Sequence, residues 1–76
     1  MNKYSVIIGG TSGIGLNVAR YLRDNGYNVL AGGRSERKDE PGITFSHIDV
    51  SNESSVKNFF SLISFKKIDS IIYSAG

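Results

Sequence analysis

Cysteine is absent from the 76-residue sequence and histidine occurs once, at His47. No disulfide, thiolate metal site or multi-histidine zinc site can be built from such a set. Long apolar runs are missing as well. The longest purely aliphatic stretch is Val6-Ile7-Ile8, far below the roughly 18 residues that cross a bilayer, and the N-terminus carries no signal-peptide apolar core. A cytoplasmic protein without membrane contact is the expectation. Charge of one sign is also scarce: nine Lys and Arg stand against seven Asp and Glu, for a net charge of +2. That balance gives no basic stripe for nucleic acid, and charge is too low for disorder. A single proline, Pro41, and no repeat or low-complexity tract leave no linker. At half the usual domain length of about 100–150 residues, residues 1–76 are expected to form one incomplete domain.

What is present alternates strand and helix patterns. Tyr4 to Ile8 is a short β-branched run halted by glycines, which suits a strand buried on both faces of a parallel sheet. Ile14, Val18, Tyr21 and Leu22 then fall at helical spacing, and Gly26 follows as a C-terminal cap. Asn28 to Ala31 and Ile43 to Ile48 read as the second and third strands, joined by a charged loop closed by Pro41-Gly42. Ser51 is the expected N-cap of a second helix whose buried stripe is Val56, Phe59, Phe60 and Ile63, and Ser70 to Tyr73 is the last strand. The order predicts an α/β fold, a partial Rossmann (doubly wound) sheet of about four parallel strands ordered 3-2-1-4 with crossover helices. Ligands of such sheets bind off the carboxyl ends of the strands.

The segment at that place is rich in glycine. Gly9-Gly10-Thr11-Ser12-Gly13-Ile14-Gly15 lies between strand and helix and opens a βαβ unit. Glycines there permit positive φ and let a pyrophosphate approach backbone N–H groups, while the helix offers its positive dipole end. Thr11 and Ser12 add hydroxyl donors or serve as ordinary turn residues. NAD-binding sheets place an Asp or Glu about 20 residues further on, to hold the ribose 2′-hydroxyl. Here Gly32-Gly33-Arg34 stands instead, and a guanidinium pairs with a 2′-phosphate, which favours NADP over NAD. Gly33, Arg34 and Ser35 are the candidate contacts at that end. Arg37 and Lys38 either add to the charge or belong to a solvated loop with Glu36, Asp39 and Glu40. Asp49 and Val50, directly after the third strand, are placed for the adenine edge and face, with a helix-flanking role for Asp49 left open. His47 reads as a strand side chain, since no acid-base partner is spaced with it.

These features together resemble the short-chain dehydrogenase/reductase family, whose members carry Thr-Gly-x-x-x-Gly-x-Gly, then Asp-Val and Asn-Asn-Ala-Gly. Gly9, Gly13 and Gly15 stand on the family glycines, Ile14 on its small aliphatic and Ile8 in place of its threonine. Asp49-Val50 matches the adenine-contacting pair, Arg34 the basic residue for the NADP phosphate, and Tyr73-Ser74-Ala75-Gly76 the Asn-Asn-Ala-Gly segment, with both asparagines changed. Ala75 and Gly76 join the candidate cofactor contacts on that basis. The resemblance implies catalysis by a later Ser and a Tyr-x-x-x-Lys pair. Four residues after Tyr4, Tyr21 and Tyr27 stand Ile8, Asn25 and Ala31, so no catalytic residue is assigned. The expectation is thus the NADP-binding portion of an oxidoreductase, inactive alone. A non-catalytic nucleotide-binding module is an alternative, as is a homo-oligomer that pairs through the Ser70 to Tyr73 edge, which Ile72→Lys is expected to disrupt.

Overall fold

The computed structural model of the chain describes residues 3–9, 11, 13–34, 37–62 and 67–74. Its elements run β1 (Lys3–Ile8), α1 (Gly13–Asp24), β2 (Tyr27–Gly33), β3 (Ile43–His47), α2 (Glu53–Ser61) and β4 (Ser70–Tyr73). All strand pairs are parallel and the sheet order is β3-β2-β1-β4, as the sequence pattern predicts. β1 is central, and Ser5, Val6, Ile7 and Ile8 are all buried, which is why this strand reads as a continuous apolar run. Its one buried polar side chain, Ser5, shares a 2.7 Å hydrogen bond with the hydroxyl of Ser70. The Asp69 backbone N–H donates to the Tyr4 carbonyl while its carboxylate accepts from the Tyr4 N–H, so the start of β4 is clamped to β1.

Each face of the sheet carries one helix. On the α1 side Ile7, Val29, Ala31 and Ile43 pack with Ala19, and on the α2 side Val6, Ile8 and Ile48 pack with Phe59. The Phe59 and Phe60 rings meet edge to face at 5.4 Å. Phe59 is 1% exposed, as expected for a core residue. It lies over Gly32, where an added Cβ would stand 2.5 Å from the ring, so only glycine lets α2 settle this close to β2.

Two local expectations are corrected. The buried face of α1 is Gly15, Leu16 and Ala19, flanked by half-buried Val18 and Leu22, whereas Ile14 and Tyr21 are 78% and 67% exposed. Val18 and Leu22 of the expected stripe do pack against the sheet, but the stripe is rotated towards Gly15, Leu16 and Ala19, two of which are too small to stand out in a hydrophobic periodicity. The N-cap of α2 is Asn52 rather than Ser51: the Asn52 side chain accepts from the Ser55 N–H at 3.0 Å. Ser51 is occupied elsewhere, donating its hydroxyl to Asp49. Ile63, the last residue of the expected stripe, lies outside the described residues.

Between β2 and β3 no helix intervenes among the described residues. Gly42, at φ +79°, turns the chain beside a Glu40–Ile43 bridge, and Asp39 accepts from the Phe45 N–H at the outer edge of β3. Glu40 gathers three arginines: Arg20 at 2.8 Å and Arg23 at 3.1 Å from α1, and Arg37 at 3.8 Å from its own loop. The hydrogen bond from Arg20, aided by Arg23, holds the Glu40 carboxyl below the usual carboxylate range. This connection therefore lies against the α1 side of the sheet. Among the described residues, no helix is long and apolar enough to cross a membrane.

Candidate functional site

The carboxyl ends of the strands open onto a cleft of about 540 Å³. Its floor is the turn out of β1. Gly9, at φ +91°, donates its N–H to the Gly32 carbonyl at 2.7 Å, and a Cβ there would strike the Ser74 carbonyl. A backbone this crowded, in a left-handed conformation, admits glycine and little else. On the other side, Ser74 donates its N–H to the Ile8 carbonyl at 2.7 Å, which closes β4 against the same turn.

Gly13 begins α1 at φ +59°, and a Cβ added to it would meet nothing within 4 Å. Glycine is thus required by the backbone, while the space in front of it stays open at a helix N-terminus. Gly15 is buried against the sheet, and Ile14 projects from the same turn at the cleft wall. Thr11 is only 5% exposed, and its side chain wedges against Gly33, where a Cβ would collide with it. Packing is therefore the first role of Thr11, in addition to lining the cleft.

Arg34 is exposed at the end of β2 and faces the cleft together with Asp49 and Val50 from the end of β3. Asp49 is preorganised: its Oδ1 accepts the Ser51 hydroxyl at 2.6 Å and the Ser51 N–H at 3.0 Å, and its own N–H donates to the Ser55 hydroxyl at 2.8 Å. The two Ser51 bonds hold the Asp49 carboxyl below its ordinary value, with the positive fields of Arg34 and His47 acting in the same direction. The carboxylate keeps Oδ2 without a hydrogen bond among the described residues. Val50 is 54% exposed, an apolar face beside that acceptor.

Gly9, Thr11, Gly13, Ile14, Gly15, Gly33, Arg34, Asp49 and Val50 thus come together in one cleft. Ser12, Ser35, Ala75 and Gly76, also expected at the site, lie outside the described residues, as does Gly10. Residue-type reasoning misses Ile8, Ile48, Ser51, Tyr73 and Ser74 as lining residues. Of these, Ser51 carries a readable signal, since a serine two residues after an aspartate can close a local side-chain turn. Ile8, which replaces a polar family residue, is 7% exposed and packs with Val6, Ile48 and Phe59, so apolar contact anchors the strand end instead. Arg37 is exposed yet engaged: its Nε donates to the Thr11 carbonyl at 3.0 Å and its Cζ lies over the Phe45 ring, 5.7 Å from the ring centre.

The comparison with known proteins agrees with this geometry. The model of the short chain dehydrogenase family matches residues 3–76. A protein of Melia azedarach, (21S)-21-acetoxyl-apo-melianone synthase SDR, is 29% identical over 83 residues, covering 97% of this chain and 31% of that protein. The structure of ElxO with NADP bound is similar with a TM-score of 0.84 and 31% identity, across 100% of this chain and 36% of ElxO. A short chain dehydrogenase family protein from Francisella tularensis subsp. tularensis SCHU S4 reaches a TM-score of 0.86 at 21% identity, a likeness of fold, covering 100% of this chain and 32% of that one. The chain spans about a third of the length of these relatives. A matched family model over residues 3–76, a parallel sheet in the order β3-β2-β1-β4 and a glycine turn at its carboxyl edge lead to one assignment: the chain belongs to the short chain dehydrogenase family.

Proposed function

We propose that this chain is the dinucleotide-binding first part of an NADP-dependent oxidoreductase. The observation that carries the reading is the cleft itself, where the open start of α1 at Gly13, the Arg34 guanidinium and the Asp49-Val50 pair share one concave surface. In this reading the pyrophosphate lies on the backbone of Gly9 to Gly15, with Thr11 and Ser12 beside it. The 2′-phosphate pairs with Arg34 next to Gly33 and Ser35, and adenine rests on Val50 with Asp49 at its edge. Ala75 and Gly76 complete the set. A carboxylate that would hold a free 2′-hydroxyl is missing from Gly32-Gly33-Arg34, so NAD is the weaker ligand.

Hydride transfer in this family needs a Tyr-x-x-x-Lys pair that the 76 residues do not hold, so the chain by itself binds cofactor without turnover. Its setting is the cytoplasm. Calorimetric titration with NADPH and NADH tests the assignment, with Gly13→Asp as a loop-dead control that both puts a negative charge in the open space before α1 and strains the left-handed backbone there. The expected result is NADPH binding about tenfold tighter than NADH, or about 1.4 kcal/mol, lost in Gly13→Asp and levelled in Arg34→Gln. Absence of binding by either nucleotide overturns it.

A second reading is self-association through β4. Among the described residues β4 pairs on one side only, and Ile71 and Tyr73 are 59% and 61% exposed. Apolar side chains on an unpaired strand make a template for another chain.

A further inference from the structure

We propose that Arg37 is a positioning residue that straps the β2–β3 loop onto the glycine turn and sets the shape of the nucleotide cleft without touching the nucleotide, an inference that rests on the dinucleotide reading above. Arg37 is committed on three sides. Its Nε donates to the Thr11 carbonyl at 3.0 Å, its Cζ lies over the Phe45 ring on β3 at 5.7 Å from the ring centre, and its Nη1 stands 3.8 Å from Glu40. Glu40 is itself held by Arg20 and Arg23 of α1 and by its bridge to Ile43. The strap therefore ties the turn after β1 to β3 and, through Glu40, to α1.

Thr11 is fixed from both ends as a result, its side chain against Gly33 and its carbonyl by Arg37. A carbonyl oxygen is the negative end of the peptide dipole and repels a phosphate, so a cation that draws it towards the loop leaves the N–H side of the turn to the anion. A guanidinium suits this work because its planar fork carries several donors in fixed directions, so one group reaches the Thr11 carbonyl, the Phe45 ring and Glu40 together. Arg37 is thereby separated from Arg34, whose side chain faces the cleft and whose positive field reaches Asp49. The two arginines, close in sequence and alike in charge, do different work: Arg34 selects the nucleotide and Arg37 shapes the turn that receives it.

The test compares the chain with Arg37→Gln and Arg37→Lys by titration with NADPH and with NADH, and by amide hydrogen exchange without nucleotide. If Arg37 positions the turn, both substitutions weaken the two nucleotides by the same factor, about tenfold, and leave their ratio unchanged. Exchange then rises in residues 11 to 15 while the melting temperature of the chain stays close to that of the parent. A loss confined to NADPH, restored by Arg37→Lys, makes Arg37 a phosphate contact and overturns the proposal. Unchanged exchange in the turn overturns it as well. If the parent chain binds neither nucleotide, the dinucleotide reading fails by that result, and the exchange comparison still decides whether the strap exists.

Discussion

Gly32 shows how one missing methyl group decides a packing distance. A Cβ there would stand 2.5 Å from Phe59 Cε1 and 2.9 Å from Ile48 Cγ2, and both side chains are buried in the core. Gly32→Ala is therefore expected to destabilise the chain by about 1–3 kcal/mol, the usual cost of overpacking, read from denaturant midpoints. Such residues are partly legible in a sequence. Gly9, Gly13 and Gly15 announce themselves, because a strand that runs into clustered glycines before a helix is the signature of a backbone built to meet a phosphate. Gly32 does not, since its reason is a ring that arrives from α2, 27 residues later, and no local pattern encodes that meeting. Arg37 is illegible on similar grounds. A charged residue among charged residues looks solvated until the carbonyl of Thr11 is found beneath it.

At the scale of the element, α1 carries the clearest contrast between apparent and actual hydrophobic faces. Ile14 is a large aliphatic at the cleft wall, whereas Ala19 is 0% exposed at the contact with the sheet. Ala19→Leu is expected to cost about 1–3 kcal/mol through overpacking, while Ile14→Ser stays within about 0.5 kcal/mol, as for a surface change. Thermal unfolding of the pair checks both; equal losses would restore the face that periodicity predicts. The same helix is bound to the β2–β3 loop through Glu40. Because the folded-state pKa of Glu40 lies below its unfolded value, its contribution is fully present above the ordinary glutamate range and is lost as pH falls through the folded value. Acid titration of stability should show that loss in the parent chain, and Glu40→Gln should flatten this part of the profile. The existence and order of the elements are legible because strand and helix periods alternate cleanly. Their facing is legible only in part: Val18 and Leu22 pack as the spacing predicts, whereas Gly15 and Ala19 bring the helix close to the sheet through smallness, a property that hydrophobic counting ignores.

For the whole molecule, the strand order decides which surface is left for others. Among the described residues β4 lies at the end of the sheet, and its side chains alternate: Ile72 packs with the α1-side core, whereas Ile71 and Tyr73 on the opposite face are exposed. Ile72→Lys, the obvious test of an edge contact from sequence, would put a charge into that core and report on folding. Ile71→Lys is the informative substitution. If β4 mediates self-association, sedimentation at tens of micromolar shows dimers or larger species in the parent chain and monomers in Ile71→Lys, with unchanged unfolding behaviour. Monomers in both would remove the edge as an interface.

The central place of β1 has a consequence in time. A ribosome delivers β1 first, yet β1 needs partners on both flanks, and Ser5 and Ser70, which share a hydrogen bond, are 65 residues apart. The pairing with β2 can form as soon as α1 has emerged, because that crossover is local. The pairing with β4 must wait for the longest loop closure in the fold. Until then a strand with four consecutive buried residues has one flank open, so the nascent chain is exposed to mispairing over the whole interval between the emergence of β1 and that of β4.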